Sequence, residues 1–189
     1  MLVLTTLLLI AAPAIPAEVD SMRTVSGVAM PETVTIDGTE LVLNGMALRK
    51  KVIVKVYVAG LYLPAKNSDA EAILAADAPR RIVLHFLRGV DKGKMCGAWD
   101  EALENNTPNP SAGLKEQFAT LCSYMEDVDK QQQFVFTYLP ERGTDIEVKG
   151  EVRGTIEGKE FADALFRGWL GPKPGPGEGF KKKLLGLKD

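Results

Sequence analysis

The chain has 189 residues, of which 46% are hydrophobic and 25% charged, with a formal net charge of −2. That composition suits one globular domain with a core of ordinary size and supplies no basic field for nucleic acid, which is excluded as a partner class. Two cysteines and one histidine are too few for an ordinary structural zinc site.

Residues 1–17, MLVLTTLLLIAAPAIPA, carry no charged side chain, and Ala12-Pro13-Ala14 and Ala17 offer small residues at cleavage-type spacing. The run is too short for a comfortable membrane span. It reads as a secretory signal peptide, which leaves a single domain over 18–189 with no integral membrane span. The expected location is a bacterial periplasm or the outside, an oxidising compartment. There, Cys96 and Cys122 either bridge or remain two buried thiols. A bridge would close a loop of about 25 residues and add roughly 3 kcal/mol in the chain-entropy account.

Residues 18–26 read as a polar lead-in. Residues 28–36 alternate loosely and meet Asp37-Gly38, a hairpin signal, after which 40–44 resumes as strand. The stretch 43–63, LNGMALRKKVIVKVYVAGLYL, organises the rest. Its second half is rich in β-branched and aromatic residues, lacks proline, and predicts one long strand ending at Pro64. Val52, Val54, Val56 and Val58 would form an apolar face; Lys51, Ile53, Lys55 and Tyr57 would form an amphipathic one. Asn44-Gly45 marks a turn or bulge. Unbroken pairing from there places Arg49 on the face of Tyr57.

A helix begins at Ser68 or Asp69 and continues to Ala76. Residues 80–87 form a strand with Ile82, Leu84 and Phe86 on one face and Arg81, Val83, His85 and Leu87 on the other. Helices are expected over 91–106 and 111–127, which puts the two cysteines on consecutive helices. Three strands, 132–139, 144–149 and 151–156, form an antiparallel meander. A helix over 159–170 turns Phe161, Leu165, Phe166 and Trp169 inward. A Pro/Gly spacer fills 171–179, and a short helix over 180–187 carries solvated lysines. Hairpin connections imply a mainly antiparallel sheet with helices on one face, an α+β domain.

No nucleophile elbow, phosphate loop or metal-ligand cluster is visible. His85 is either a satisfied strand residue or an axial haem ligand. Arg49 either snorkels to a rim or lines a cleft, where its fork would hold a carboxylate and Tyr57 would add a hydroxyl donor.

The stretch LNGMALRKKVIVKVYVAGLYL resembles the strand segment of the chalcone isomerase superfamily. IEGKEFADALFRGWLGPKPG resembles that family's C-terminal stretch. The likeness spans about 25–186, and the exported leader resembles the bacterial chalcone-isomerase-like branch. It implies an open-faced β-sandwich, a mainly antiparallel sheet under a helical layer with a ligand cleft between. The family arginine falls on Arg49, which in plant isomerases stabilises the phenolate during ring closure. Where those enzymes carry a threonine three residues before the strand glycine, here Gly60, this chain has Tyr57. The tyrosine and asparagine expected around LRGVDKGKMCGAWD are missing. The arginine–tyrosine pair instead resembles fatty-acid-binding members, and likeness to haem-binding members admits haem. The resulting reading is an exported, non-catalytic binder of a small amphipathic carboxylate, fatty acid or haem. Arg49 and Tyr57 hold the ligand, His85 is the candidate haem ligand, and Phe86, Trp99, Phe136 and Tyr138 are candidate walls. The alternatives are an isomerase of chalcone-isomerase type using Arg49 on an unknown substrate, and a partner-binding module with a closed cleft.

Overall fold

Short apolar-alternating segments separated by turn residues at positive φ dictate a meander, and the computed structural model, which describes residues 21–187, shows one. The expected signal peptide lies outside the described residues. Strands β1 (Met22–Val25) and β2 (Val28–Pro31) form a hairpin through Ser26-Gly27, both at positive φ. The main sheet has seven strands in sequence order: β3 (Thr33–Ile36), β4 (Thr39–Lys51), β5 (Val54–Leu63), β6 (Arg80–Phe86), β7 (Gln133–Leu139), β8 (Gly143–Val148) and β9 (Glu151–Ile156). Every neighbouring pair is antiparallel. Helices α1 (Ala70–Ala75), α2 (Lys92–Asn106), α3 (Ala112–Tyr124), α4 (Lys159–Leu170) and α5 (Glu178–Leu184) complete the fold.

The main core lies between sheet and helices. Ala59, Leu61, Ile82, Leu84, Phe134 and Phe136 of the sheet meet Trp99, Phe118, Phe161, Phe166 and Trp169 of the helices. A smaller core on the reverse face, built from Leu41, Leu43, Met46, Val58, Val83 and Val135, is covered by Val28 and Met30 of the β1–β2 hairpin. Gly60 makes that cover fit, since a Cβ there would lie 2.4 Å from the Met30 sulfur. The domain is thus the expected open-faced α+β sandwich. Among the described residues no helix is long and apolar enough to cross a membrane.

Four expectations change. Residues 43–63 are not one strand running on from a bulge. The chain reverses at Val52-Ile53, so that Lys51 faces Val54 and the two halves pair as β4 and β5. Val52, with φ 57°, and Ile53 are 90% and 87% exposed, which removes Val52 and Val54 from any dry face. No glycine or asparagine marks this turn, so a β-branched run conceals it. The lead-in 18–26 contains β1, and Glu32 separates the expected 28–36 strand into β2 and β3. Helix α3 stops at Tyr124, because Val128 instead forms a two-bond bridge with Val90, at 2.8 and 3.0 Å.

Cys96 on α2 and Cys122, in the last turn of α3, form a disulfide with Cα atoms 5.4 Å apart. The Asn44-Gly45 bulge is a docking point for the C-terminus. Asn44, 4% exposed, donates to the carbonyls of Leu184 (2.8 Å) and Asn67 (2.9 Å). A Cβ on Gly45 would lie 2.1 Å from the Lys183 carbonyl oxygen, so only glycine lets α5 approach this closely.

Candidate functional site

The bulge at Asn44 also sets which way β4 faces. Leu41 and Leu43 point to the reverse core, and after the register shift Ala47 joins the main core. Side chains alternate, so Arg49 shares the helical face with Ala47. Arg49 and Tyr57 are direct cross-strand partners. The expectation that they share a face therefore holds by a different route, across a hairpin rather than along one strand.

Arg49 is half-buried, and its Nη1 donates to the Pro176 carbonyl at 3.1 Å. It meets no carboxylate among the described residues. By contrast Arg23, Arg80, Arg142 and Arg153 each pair with one. The Tyr57 hydroxyl accepts a hydrogen bond from Trp169 Nε1 at 3.1 Å, and its own proton has no acceptor among the described residues. Its ring stands edge-on to Phe86 (5.8 Å) and Phe180 (5.9 Å). Burial pushes its pKa up to about 12, against the lesser downward pulls of the Trp169 bond and the Arg49 charge. At neutral pH this phenol is therefore a proton donor and not a base.

The C-terminal segment closes over the pair. Asn106 of α2, 5% exposed, donates to the carbonyl of Lys173 (3.0 Å) and accepts from its N–H (2.8 Å). Gly171 packs against the same asparagine, where a Cβ would fall 2.5 Å from Oδ1. The strap over 171–177 is thus tied at one end by Asn106, and α5 beyond it is tied by Asn44.

His85 does not join this group. It sits opposite Val58 and beside Val83, whose side chains form the reverse core, so it lies on the other face of the sheet from Arg49 and Tyr57. Gln133 Nε2 lies 3.1 Å from its Nδ1, and burial lowers its pKa, favouring the neutral ring. An imidazole there cannot ligate an iron whose propionates are held by Arg49. Among the described residues no cluster of His, Cys, Asp or Glu would hold a metal ion.

The four candidate wall residues are all buried in the main core. Phe86 touches Tyr57, and Phe136 lies between Trp169 (6.0 Å) and Trp99 (5.9 Å), which makes a continuous aromatic path from the Arg49 end into the core. Tyr138 belongs elsewhere; it donates to Asp77 Oδ1 at 2.5 Å and lies under the Arg80 guanidinium. Two shallow hollows, of about 230 and 350 Å³, are lined by Leu63, Ile73 and Arg80 and by Asp77, Tyr138 and Lys159, at the opposite end of the sheet from Arg49. Sequence reasoning missed three site members: the Trp169 indole as the partner of Tyr57, the Pro176 carbonyl and the Phe180 ring. The available signal was WLGPKPGPG, a tryptophan leading into a strap that must fold back over something.

The chalcone isomerase-like family profile matches residues 22–186. The chain belongs to the chalcone isomerase-like family. Among solved structures, a fatty-acid binding protein from Arabidopsis thaliana is similar to this chalcone isomerase-like chain, with a TM-score of 0.68 at 15% identity. The match covers 87% of this chain and 96% of that one. At that identity the likeness is one of fold. No curated protein matches the sequence.

Proposed function

We propose that this chalcone isomerase-like protein is a non-catalytic binder of a long-chain carboxylate, with a fatty acid as the ligand. One observation carries the reading: a half-buried guanidinium that meets no carboxylate among the described residues stands beside a phenol whose proton no described residue accepts. Both groups want an anion, and a carboxylate satisfies both through a charge-assisted fork and one O–H bond. The aromatic path through Trp169 and Phe136 marks the direction in which an acyl chain would displace core contacts. The Arabidopsis neighbour, a fatty-acid binding protein, supports the same ligand class. Haem is less well served, since His85 faces away. Isomerase chemistry is also less well served. Tyr57 stays protonated, and no base accompanies Arg49 among the described residues.

The strap and α5 lie over the pair in this arrangement. Pro176 takes one arginine donor and Phe180 lies over Tyr57, so a carboxylate that binds both groups must displace the Pro176 carbonyl. Titration of dodecanoate, followed by tryptophan emission because Trp169 touches Tyr57, tests the site. Arg49→Ala should weaken binding by about 1.5–3 kcal/mol, roughly 10- to 150-fold. Equal affinity in the variant would remove Arg49 as the anchor. Mass spectrometry of a solvent extract of purified protein should show co-purifying fatty acids.

A further inference from the structure

The β4–β5 hairpin extends beyond the body of the sheet. Its neighbour β3 pairs with β4 only as far as Val42, and β6 follows β5 only to Tyr57, with one further backbone bond from Leu87 N to Val56 O at 2.9 Å. Residues 50–55 therefore form a free two-stranded ribbon. Its tip is apolar: Val52 is 90% exposed, Ile53 87% and Val54 39%. Its flanks are cationic: Lys50, Lys51 and Lys55 are exposed and meet no carboxylate among the described residues. Between Glu40 and Asp69 the chain has no acidic residue, although its overall charge is −2.

The tip is also kept apolar against local preference. Val52 holds φ 57° at the first of two loop positions, where glycine is the favoured residue and a β-branched side chain is strained. Folding alone would favour glycine there. Two bare aliphatic side chains on a narrow ribbon offer far less area than the roughly 800 Å² per partner of a stable protein interface. They do suit the headgroup boundary of a bilayer, where apolar residues insert and lysines meet anionic lipid.

We propose that this hairpin tip docks the protein on an anionic lipid bilayer. Val52 and Ile53 enter the interface, and Lys50, Lys51 and Lys55 bind the charged surface. The docking goes beyond the ligand reading and does not depend on it. Because Arg49 and Tyr57 sit at the base of the same ribbon, docking would bring the anion site to the membrane–water boundary.

The test is sedimentation of the full chain with vesicles of phosphatidylglycerol and phosphatidylcholine, against phosphatidylcholine alone. The native chain should bind the anionic vesicles and lose binding as salt rises. The double variant Val52→Gly with Ile53→Ser suits the turn and removes the tip, so it should fold and bind at least tenfold more weakly. The difference between the two chains isolates the tip from the apolar run at 1–17. A second measurement is local to the tip: Ile53→Trp should shift its emission to the blue and be quenched by lipids brominated high on the acyl chain. The proposal is overturned if the double variant binds as the native chain does. It is also overturned if the Ile53→Trp emission is unmoved, or if the tip instead forms a dimer seen by size-exclusion chromatography without vesicles.

Discussion

A guanidinium and a phenol on facing strands act on each other through the space between them. Arg49 favours the phenolate of Tyr57, yet burial outweighs it and the pKa rises to about 12. The folded chain thus holds the Tyr57 proton more tightly than the unfolded chain, whose tyrosines titrate near 10. The stability this contributes is complete below about pH 10 and is lost as pH rises from about 10 to 12. Burial pushes Tyr62 and Tyr138 to about 12 as well, so alkaline unfolding is shared among three groups. Tyr57→Phe should flatten the fall in urea midpoint between pH 10 and 12 by about one titrating group; an unchanged profile would mean the hydroxyl is not desolvated. A second arginine shows the opposite design. Arg80, 1% exposed, pairs with Asp163, donates to the carbonyl of Ile73 (3.2 Å) and lies between the rings of Tyr138 (4.8 Å) and Phe166 (5.0 Å). Asp163→Ala would leave that charge buried and unpaired, and should cost about 3–5 kcal/mol in urea denaturation. Arg80 and Arg81 are neighbours in sequence, and the sequence singles out neither as buried. The partner that separates them comes from 83 positions away.

At the scale of elements, helices α1, α2 and α4 and strands β6 to β9 were legible from their periodicity and from the turn residues between them. Asp69 and Ser111 cap α1 and α3 as their positions suggest. Lys149-Gly150 turns at positive φ between β8 and β9. The β4–β5 hairpin was not legible because its turn contradicts its own sequence. A run of β-branched residues reads as unbroken strand, and the reversal is imposed by cross-strand pairing of Ala47 with Ala59 and Leu48 with Val58. That conflict has a measurable size. Relief of left-handed strain should make Val52→Gly more stable than the native chain by about 1 kcal/mol, offset in part by the flexibility glycine adds to the unfolded state. A rise in urea midpoint checks it. A fall would mean Val52 makes contacts that outweigh its strained backbone. The disulfide acts at this same scale by joining α2 to α3. Its reduction should lower stability by about 3 kcal/mol, read as a shift in the urea midpoint with and without dithiothreitol.

Across the described residues, the first hairpin and the last helix serve the two faces of one sheet. The β1–β2 hairpin seals the reverse core through Met30 against Gly60, while α5 and its strap close the helical side over Arg49. Little in the second half of this scheme could be read from composition, since it rests on two asparagines that each recognise backbone far along the chain. Asn44 reaches 140 positions to Leu184, and Asn106 reaches 67 to Lys173. If the strap is the ligand's way in, its tether should govern the rate of binding more than the strength of binding. Asn106→Ala removes three hydrogen bonds, to Ala102, to the Lys173 carbonyl and from the Lys173 N–H. The loss should cost about 1–3 kcal/mol of local stability through the backbone groups left unpaired. Amide exchange over 171–177 should then quicken, because opening of this segment is local and does not require global unfolding. Stopped-flow mixing with dodecanoate should show association and dissociation both faster, with an affinity changed less than either rate. Faster exchange with unaltered association would place the entrance elsewhere, most simply at the open side of the β4–β5 ribbon.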